Sequence, residues 1–319
     1  MKLKAIYVTL AFIICANVIH AQESLPFYQQ YLLSDKALIN PSYSGASDDI
    51  VVKLTYHKQW GDFDLSPNTQ TAMVHANIVD RVGVGAYFFK DENGPVAAQG
   101  LNLSAAYHIP LGEDENRSEN QFSFGTGVSF WSQSYDWRRV QPENPNDPLV
   151  YGDPSIFLPY LNIGASFIYK GVFGGISVTD IPLSNNTPIV NQIEPSPTWY
   201  YFNLGYDWKF GENFSVEPSV LMNINTNSER QLDANLLAKY RNESNKFAVG
   251  ISYRQDMDEN GGQALTMSPL IKAEFGRLNM AFSYNVGLSD IATYGGNGFM
   301  IGLGYNIENF INQKGFRYR

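Results

Sequence analysis

Cysteine is almost missing from this chain: Cys15 is the only one, and it falls inside an apolar N-terminal run. A single thiol builds neither a disulfide framework nor a cysteine-ligated metal centre. Histidine is scarce as well. Past the N-terminal run only His57, His75 and His108 remain, at no compact ligand spacing, so they read as ordinary polar lining rather than a metal site. Charged residues make up 17% of the chain, below the roughly 25% of a soluble domain. Basic residues are in deficit, 22 against 31 acidic, and without a basic patch the chain is a poor nucleic-acid binder. After the N-terminal run no stretch approaches 18 apolar residues, so no transmembrane helix is expected. GxSxG, HExxH, a Walker loop and a complete GxGxxG are all lacking. No nucleophile and base are recognisable, and the chain reads as a non-enzyme with no cofactor.

What is present begins with Lys2 and Lys4, an apolar run from Ala5 to about Val18, and Ala21 before Gln22. This is the pattern of a secretory signal peptide over residues 1–21. A membrane anchor would need about 20 apolar residues, and Asn17 and His20 cut this run short. Ile14 is too large for the position before a lipidated cysteine. Cleavage would leave 20 basic and 31 acidic residues, a net charge of −11.

The second abundance is aromatic: 20 Tyr and 20 Phe, together with 27 Gly. In Lys246–Gln255 the residues Phe247, Val249, Ile251 and Tyr253 fall on one side of a two-residue repeat, against Ala248, Gly250, Ser252 and Arg254. Leu101 to Tyr107, Tyr200 to Trp208 and Leu278 to Val286 repeat that division into large apolar and small polar faces. A soluble sandwich face would carry more Lys and Glu. Strand-like segments recur near 50–60, 68–79, 82–90, 98–109, 121–132, 158–170, 172–180, 198–210, 213–225, 230–241, 246–255, 263–275, 278–288 and 298–308. That is an even set of 14, mostly long enough to cross a bilayer at a tilt. Turns at 80–81, 171, 211–213, 242–245 and 276–277 are tight, with 110–120 the exception. The alternate connections, 61–67, 91–97, 133–157, 181–197, 226–229, 256–262 and 289–297, are mostly longer. Short periplasmic turns alternating with long outer loops predict a transmembrane antiparallel β-barrel of about 14 strands. The expected organisation is a periplasmic N-terminal segment at 22–49, a barrel over 50–308 and a tail at 309–319. Trp60 and Trp199 are expected at the outer rim, and Tyr107, Tyr169, Trp208 and Tyr240 at the inner one.

Several residues could carry chemistry inside or above such a barrel. The pairs Gly83/Gly85, Gly125/Gly127 and Gly302/Gly304 recur at strand period, which suits relief of crowding inside a barrel better than a phosphate cradle. Asp207, Glu217, Asp233 and Lys239 fit a polar lumen and define no catalytic pair. Asp256, Asp258, Asn260 and Gly261 match the start of a calcium loop, yet position twelve is Met267 where a glutamate belongs. An acidic hairpin tip and an ion site are both open. In the long 133–157 connection, Trp137, Arg138 and Arg139 stand among several prolines. They are candidates for partner binding, with a self-packed cap as the alternative.

Two motifs remain. FYQQYLLSDKALINPSYSGA, Phe27 to Ala46, is followed by YHKQWGDFDLSPNTQTAMVHANI, Tyr56 to Ile78. Asn40 and Pro41 start a turn and Gly45 permits positive φ, so this stretch is expected to fold before the first strand and to pack in or beneath the barrel. Gln59, Trp60, Pro67, Thr69 and Gln70 form the first outer hairpin. Together, Gln30-Tyr31, Ile39 to Gly45, Gln59-Trp60 and Ser66 to Thr71 resemble the PorP/SprF family of type IX secretion proteins across essentially the whole chain. The resemblance implies an outer-membrane barrel of a Bacteroidota-type bacterium, exported with a cleaved leader and often tied to gliding motility. It further implies partners: a secreted surface protein or adhesin, other type IX components, a periplasmic peptidoglycan-binding protein, and outer-membrane lipid. The expected function is to dock, export or anchor such a surface protein. The alternative is an outer-membrane channel or transporter for small hydrophobic or polar solutes.

Overall fold

The structure is a computed structural model that describes residues 31–111, 120–135, 155–184, 197–226, 228–242, 244–258, 261–290 and 292–312. Its strands are β1 (Ile50–Lys58), β2 (Asn68–Val79), β3 (Val82–Asn93), β4 (Val96–Pro110) and β5 (Gln121–Tyr135). They continue with β6 (Ser155–Tyr169), β7 (Val172–Pro182), β8 (Trp199–Tyr206), β9 (Trp208–Phe210) and β10 (Phe214–Asn225). The last are β11 (Arg230–Arg241), β12 (Asn245–Asp258), β13 (Gly261–Phe275), β14 (Leu278–Gly287) and β15 (Gly298–Ile307). Each pairs antiparallel with its neighbour, and β1 closes the ring on β15 from Ile50↔Ile307 to Lys58↔Phe299. β8 and β9 are one stave broken at Asp207, whose N–H donates to Gly171 O at 2.8 Å. The wall is therefore a closed barrel of 14 staves. Closure follows from the solvent: an open edge in hydrocarbon would leave backbone groups without partners at several kcal/mol each.

Side-chain parity agrees with the alternation in the sequence. Phe247, Val249 and Ile251 are exposed on the outer face of β12, while Ala248 is buried inside. Leu101, Leu103 and Tyr107 of β4, and Tyr200, Phe202, Leu204 and Tyr206 of β8, are likewise outward. Aromatic rings gather outside the tight-turn end, with Tyr107–Phe124, Trp208–Phe210 and Phe214–Tyr240 centroids 5.7, 4.9 and 4.9 Å apart. Tyr169 joins them on the outer surface. Such girdles sit at the water–hydrocarbon boundary, where one end of the ring is dry and the other wet.

Two expectations need correction, and one open choice is decided. Trp199 is not a rim residue: it is 3% exposed, points inward and stacks on Tyr201 at 6.2 Å. Parity explains this, since Tyr200 and Phe202 take the outer face and odd-numbered residues the inner one. The connection expected at 91–97 is a tight hairpin, because Gly94 at φ +58° turns the chain between Asn93 and Val96. Charged Asp91 and Glu92 read as loop, but a strand projecting beyond the apolar band tolerates them. The same holds at the suspected calcium loop, where Asp256↔Gln263 and Asp258↔Gly261 are ladder pairs. A twelve-residue coordinating loop starting at Asp256 cannot form across that hairpin.

Candidate functional site

The interior of the barrel is occupied by the chain's own N-terminal segment. Two short 3-10 turns, Lys36–Leu38 and Pro41–Tyr43, order it. Each follows a residue whose short polar side chain caps the turn. Asp35 Oδ1 accepts from Ala37 N at 3.0 Å, and Asn40 Oδ1 accepts from Ser42 N at 3.0 Å with Pro41 at the first position. Leu33, Leu38, Ile39 and Tyr43 are buried and complete apolar clusters with inward residues of the wall, among them Met73, Phe89, Leu221 and Leu237.

Polar contacts then tie the segment to staves around the ring. Asn40 Nδ2 donates to the carbonyls of Ala165 and Ile176, at 3.0 and 3.1 Å. Ser42 Oγ bonds Ser166 Oγ at 2.8 Å, and Ser177 Oγ donates to Ile39 O at 2.5 Å. His108 holds Ser44 O at 3.0 Å, and Asn235 Nδ2 donates to Tyr31 OH at 2.9 Å. His75 Nδ1 accepts from Gly45 N–H at 3.2 Å, which leaves its Nε2–H for Asp35 Oδ2 at 3.3 Å. Burial alone would push the Asp35 carboxyl up; His75 and Lys53 outweigh it and hold the group well below the usual carboxylate range. Lys36 lies 3.4 Å over the Phe173 ring, and burial pulls its ammonium down to about 8.

Glycines in the wall form the seat of this segment. A methyl group at Gly83 would lie 2.1 Å from Ser44 O, and one at Gly164 would lie 2.1 Å from Asn40 Oδ1. At Gly125 the clash would be with the backbone of Pro41, at 2.7 Å. Gly45 itself adopts φ +68° and approaches Ala76 and Gly83 so closely that any Cβ would meet backbone at 2.5 Å. The crowding these inward glycines relieve is thus the approach of residues 40–45. Gly164 and Gly175, which flank the Asn40 carboxamide, escaped the sequence reading. They sit on inward positions of otherwise larger strands, and that was the available signal.

The remaining motif residues, Gln70 excepted, collect at the long-loop rim, apart from Asn40, Pro41 and Gly45. Gln59 N donates to Pro67 O at 2.9 Å, closing the first outer hairpin. Thr69 Oγ1 donates to Asp91 Oδ1 at 2.5 Å. Gln70 faces outward and is exposed, outside both groups. Trp60 adopts φ +45°, uncommon for a bulky side chain. There the loop meets the helical turn Ala292–Gly295: Gly61 N bonds Asn297 O at 2.9 Å, and Asp62 N bonds Gly295 O at 3.0 Å. Phe63, Leu65, Leu288 and Tyr294 are exposed on these two joined loops. Trp137, Arg138 and Arg139 lie outside the described residues.

Elsewhere the lumen is packed with polar groups. Arg254 makes a two-pronged ion pair with Asp233, at 2.7 and 2.8 Å, across directly paired strands. Lys239 bridges Glu217 and Asp207, the latter at 3.5 Å. His57 meets Asn285 at 2.9 Å. Among the described residues no group of three or more His, Cys, Asp or Glu is placed to hold a metal. Among the described residues, spaces of about 270 and 60 Å³ open between side chains, with Leu33 lining both.

In shape the chain is similar to barrel structures of transport proteins. A monoaromatic hydrocarbon channel TodX variant shares 12% identity and a TM-score of 0.52, covering 86% of this chain and 94% of its own. The Ralstonia pickettii toluene transporter TbuX gives 11% and 0.51, and the Pseudomonas putida toluene transporter TodX gives 12% and 0.50. Each of those two covers 86% of this chain and 93% of its own. At such identities the likeness establishes an outer-membrane barrel fold and nothing about ligands. No curated protein matches the chain in sequence. The family described as type IX secretion system membrane protein PorP/SprF matches residues 20–305, nearly the entire barrel and its luminal segment, and the chain belongs to that family.

Proposed function

We propose that this outer-membrane barrel works by binding rather than catalysis, docking or anchoring a type IX secreted surface protein or gliding adhesin on its long-loop rim. The observation that carries this reading is the platform formed where residues 60–66 meet 288–297. Backbone bonds fix the two loops together, and Phe63, Leu65, Leu288 and Tyr294 remain uncovered on them. Rigid aromatic anchors on a preorganised surface are what binding hot spots use. The filled lumen supports the same reading, because a bore occupied by a many-bonded segment is not a free channel. Trp137, Arg138 and Arg139, outside the described residues, are further candidates for contact with that partner. Residues 1–21 would be removed on export, and the tight-turn end, with the 309–319 tail, would face periplasmic type IX partners such as a peptidoglycan-binding protein.

The test is deletion of the gene combined with affinity capture of the tagged barrel from membranes. Loss of one large exported protein from the cell surface, with its recovery on the intact barrel and not on the Phe63→Ala/Tyr294→Ala double variant, supports docking. A second reading, passage of small solutes, has the two internal spaces in its favour. It predicts instead unchanged surface proteins and solute uptake that disappears with the gene.

A further inference from the structure

The larger internal space has chemistry that rim docking leaves unused. It lies between the luminal segment and the β10–β15 side of the wall, near the tight-turn end, and measures about 270 Å³. Leu33, Ala248 and Ala281 give it an apolar surface, while its lining carries six cationic side chains against three carboxylates. Two of these cations are spent only in part. Lys53 Nζ donates to Ser34 O at 2.8 Å and lies 3.8 Å from Asp35 Oδ2, and Lys272 Nζ donates to Leu32 O. An ammonium has three donors, so each retains capacity. Beside them lies Ser34, 6% exposed, and among the described residues nothing bonds its Oγ. A buried hydroxyl left unmatched is costly, a cost that a bound acceptor would remove.

We infer that this space is a binding site for a small amphipathic organic anion, its carboxylate taken by Ser34, Lys53 and Lys272 and its short apolar body laid against Leu33, Ala248 and Ala281. Lys239, Lys246 and Lys53 have carboxylate partners, but Lys272 has none within ion-pair distance among the described residues. That cation favours an anion, and a hydroxyl with two ammoniums matches the acceptor oxygens of one carboxylate. The volume suits a chain of about eight to ten carbons, below the usual 300–1,000 Å³ of drug-sized pockets. The site is separate from the rim platform, so its occupancy stands or falls without the docking reading.

Equilibrium dialysis of isotopically labelled octanoate against the full barrel in lipid nanodiscs, with empty nanodiscs as the blank, tests this. One saturable site per barrel is expected. Affinity should fall about tenfold or more in Lys272→Met, which removes a charged partner, and binding should vanish in Ser34→Leu, which fills the space. Should Lys272→Met fail to fold, judged by heat-modifiable gel mobility, Ser34→Ala at the unpaired hydroxyl replaces it, with weaker binding expected. Octanol binding as well as octanoate, inorganic phosphate displacing octanoate at equal concentration, or uptake equal to empty nanodiscs would each overturn the assignment.

Discussion

Replacing Asn40 by Ala is expected to unseat the luminal segment and leave the barrel standing. The carboxamide makes four hydrogen bonds, two inside its own turn and two to the carbonyls of Ala165 and Ile176. At a net 0.5–1.5 kcal/mol apiece they amount to about 2–6 kcal/mol. The lower part of that range applies, because Ser42 Oγ keeps Ser166 as a partner and water can reach the vacated groups. Taking about 2–4 kcal/mol, the population of the unseated state rises roughly 30- to 800-fold. The readout is a thiol at Ala37, which is buried and uses no side-chain hydrogen bond, in a chain whose Cys15 is replaced by Ser. Maleimide reaches it only when the segment leaves, so the labelling rate follows the open population when reclosing is fast. Heat-modifiable gel mobility should stay unchanged, because the barrel ladder contains none of the lost bonds. A labelling rate within about threefold of the parent, or collapse of the barrel itself, would refute the view that Asn40 pins a separable segment.

Other outcomes follow from the same contacts. Gly164→Ala should also speed labelling at position 37, since its methyl would sit 2.1 Å from Asn40 Oδ1. In the Asn40→Ala background it should add little, and full additivity would argue against the clash. Asp35 has its carboxyl held below the ordinary value of 3.8, so its stabilisation is complete above that pH and disappears as pH falls through the depressed value. Hydrogen exchange in residues 36–45 should therefore quicken on acidification below about pH 4, and Asp35→Asn should flatten that response. Val249→Arg, at a site 59% exposed on the outer face, should cost about 2–4 kcal/mol if it lies near the bilayer midplane. Reversible folding into vesicles measures this, and a neutral result would mean that this face does not meet hydrocarbon.

Alternation in the sequence already separated lipid from lumen, because a period of two is imposed locally by the pleat and needs no knowledge of neighbours. The same rule assigns Trp199 to the inside; grouping it with the girdle on residue type alone ignored its parity with Tyr201. Turn chemistry was less legible. Gly94 and the ends of β12 and β13 show strands running on past charged residues that composition assigns to loops. The motif around Asn40 was visible as a capped turn with a pliant glycine that would pack in or beneath the barrel, yet the choice between those two places was not.

The order of the chain by itself determined the number of staves, their faces and the closed ring, since each follows from near-neighbour pairing and from the intolerance of hydrocarbon for free backbone groups. Only the tertiary structure decided that residues 31–49 fill the ring, that Gly83, Gly125 and Gly164 are their seat, and that two distant rim loops share one platform. These depend on contacts between residues far apart in the chain, such as Asn40 with Ala165 and Ile176, 125 and 136 positions away. No local repeat records which carbonyl a buried carboxamide will meet once the wall has curved around it.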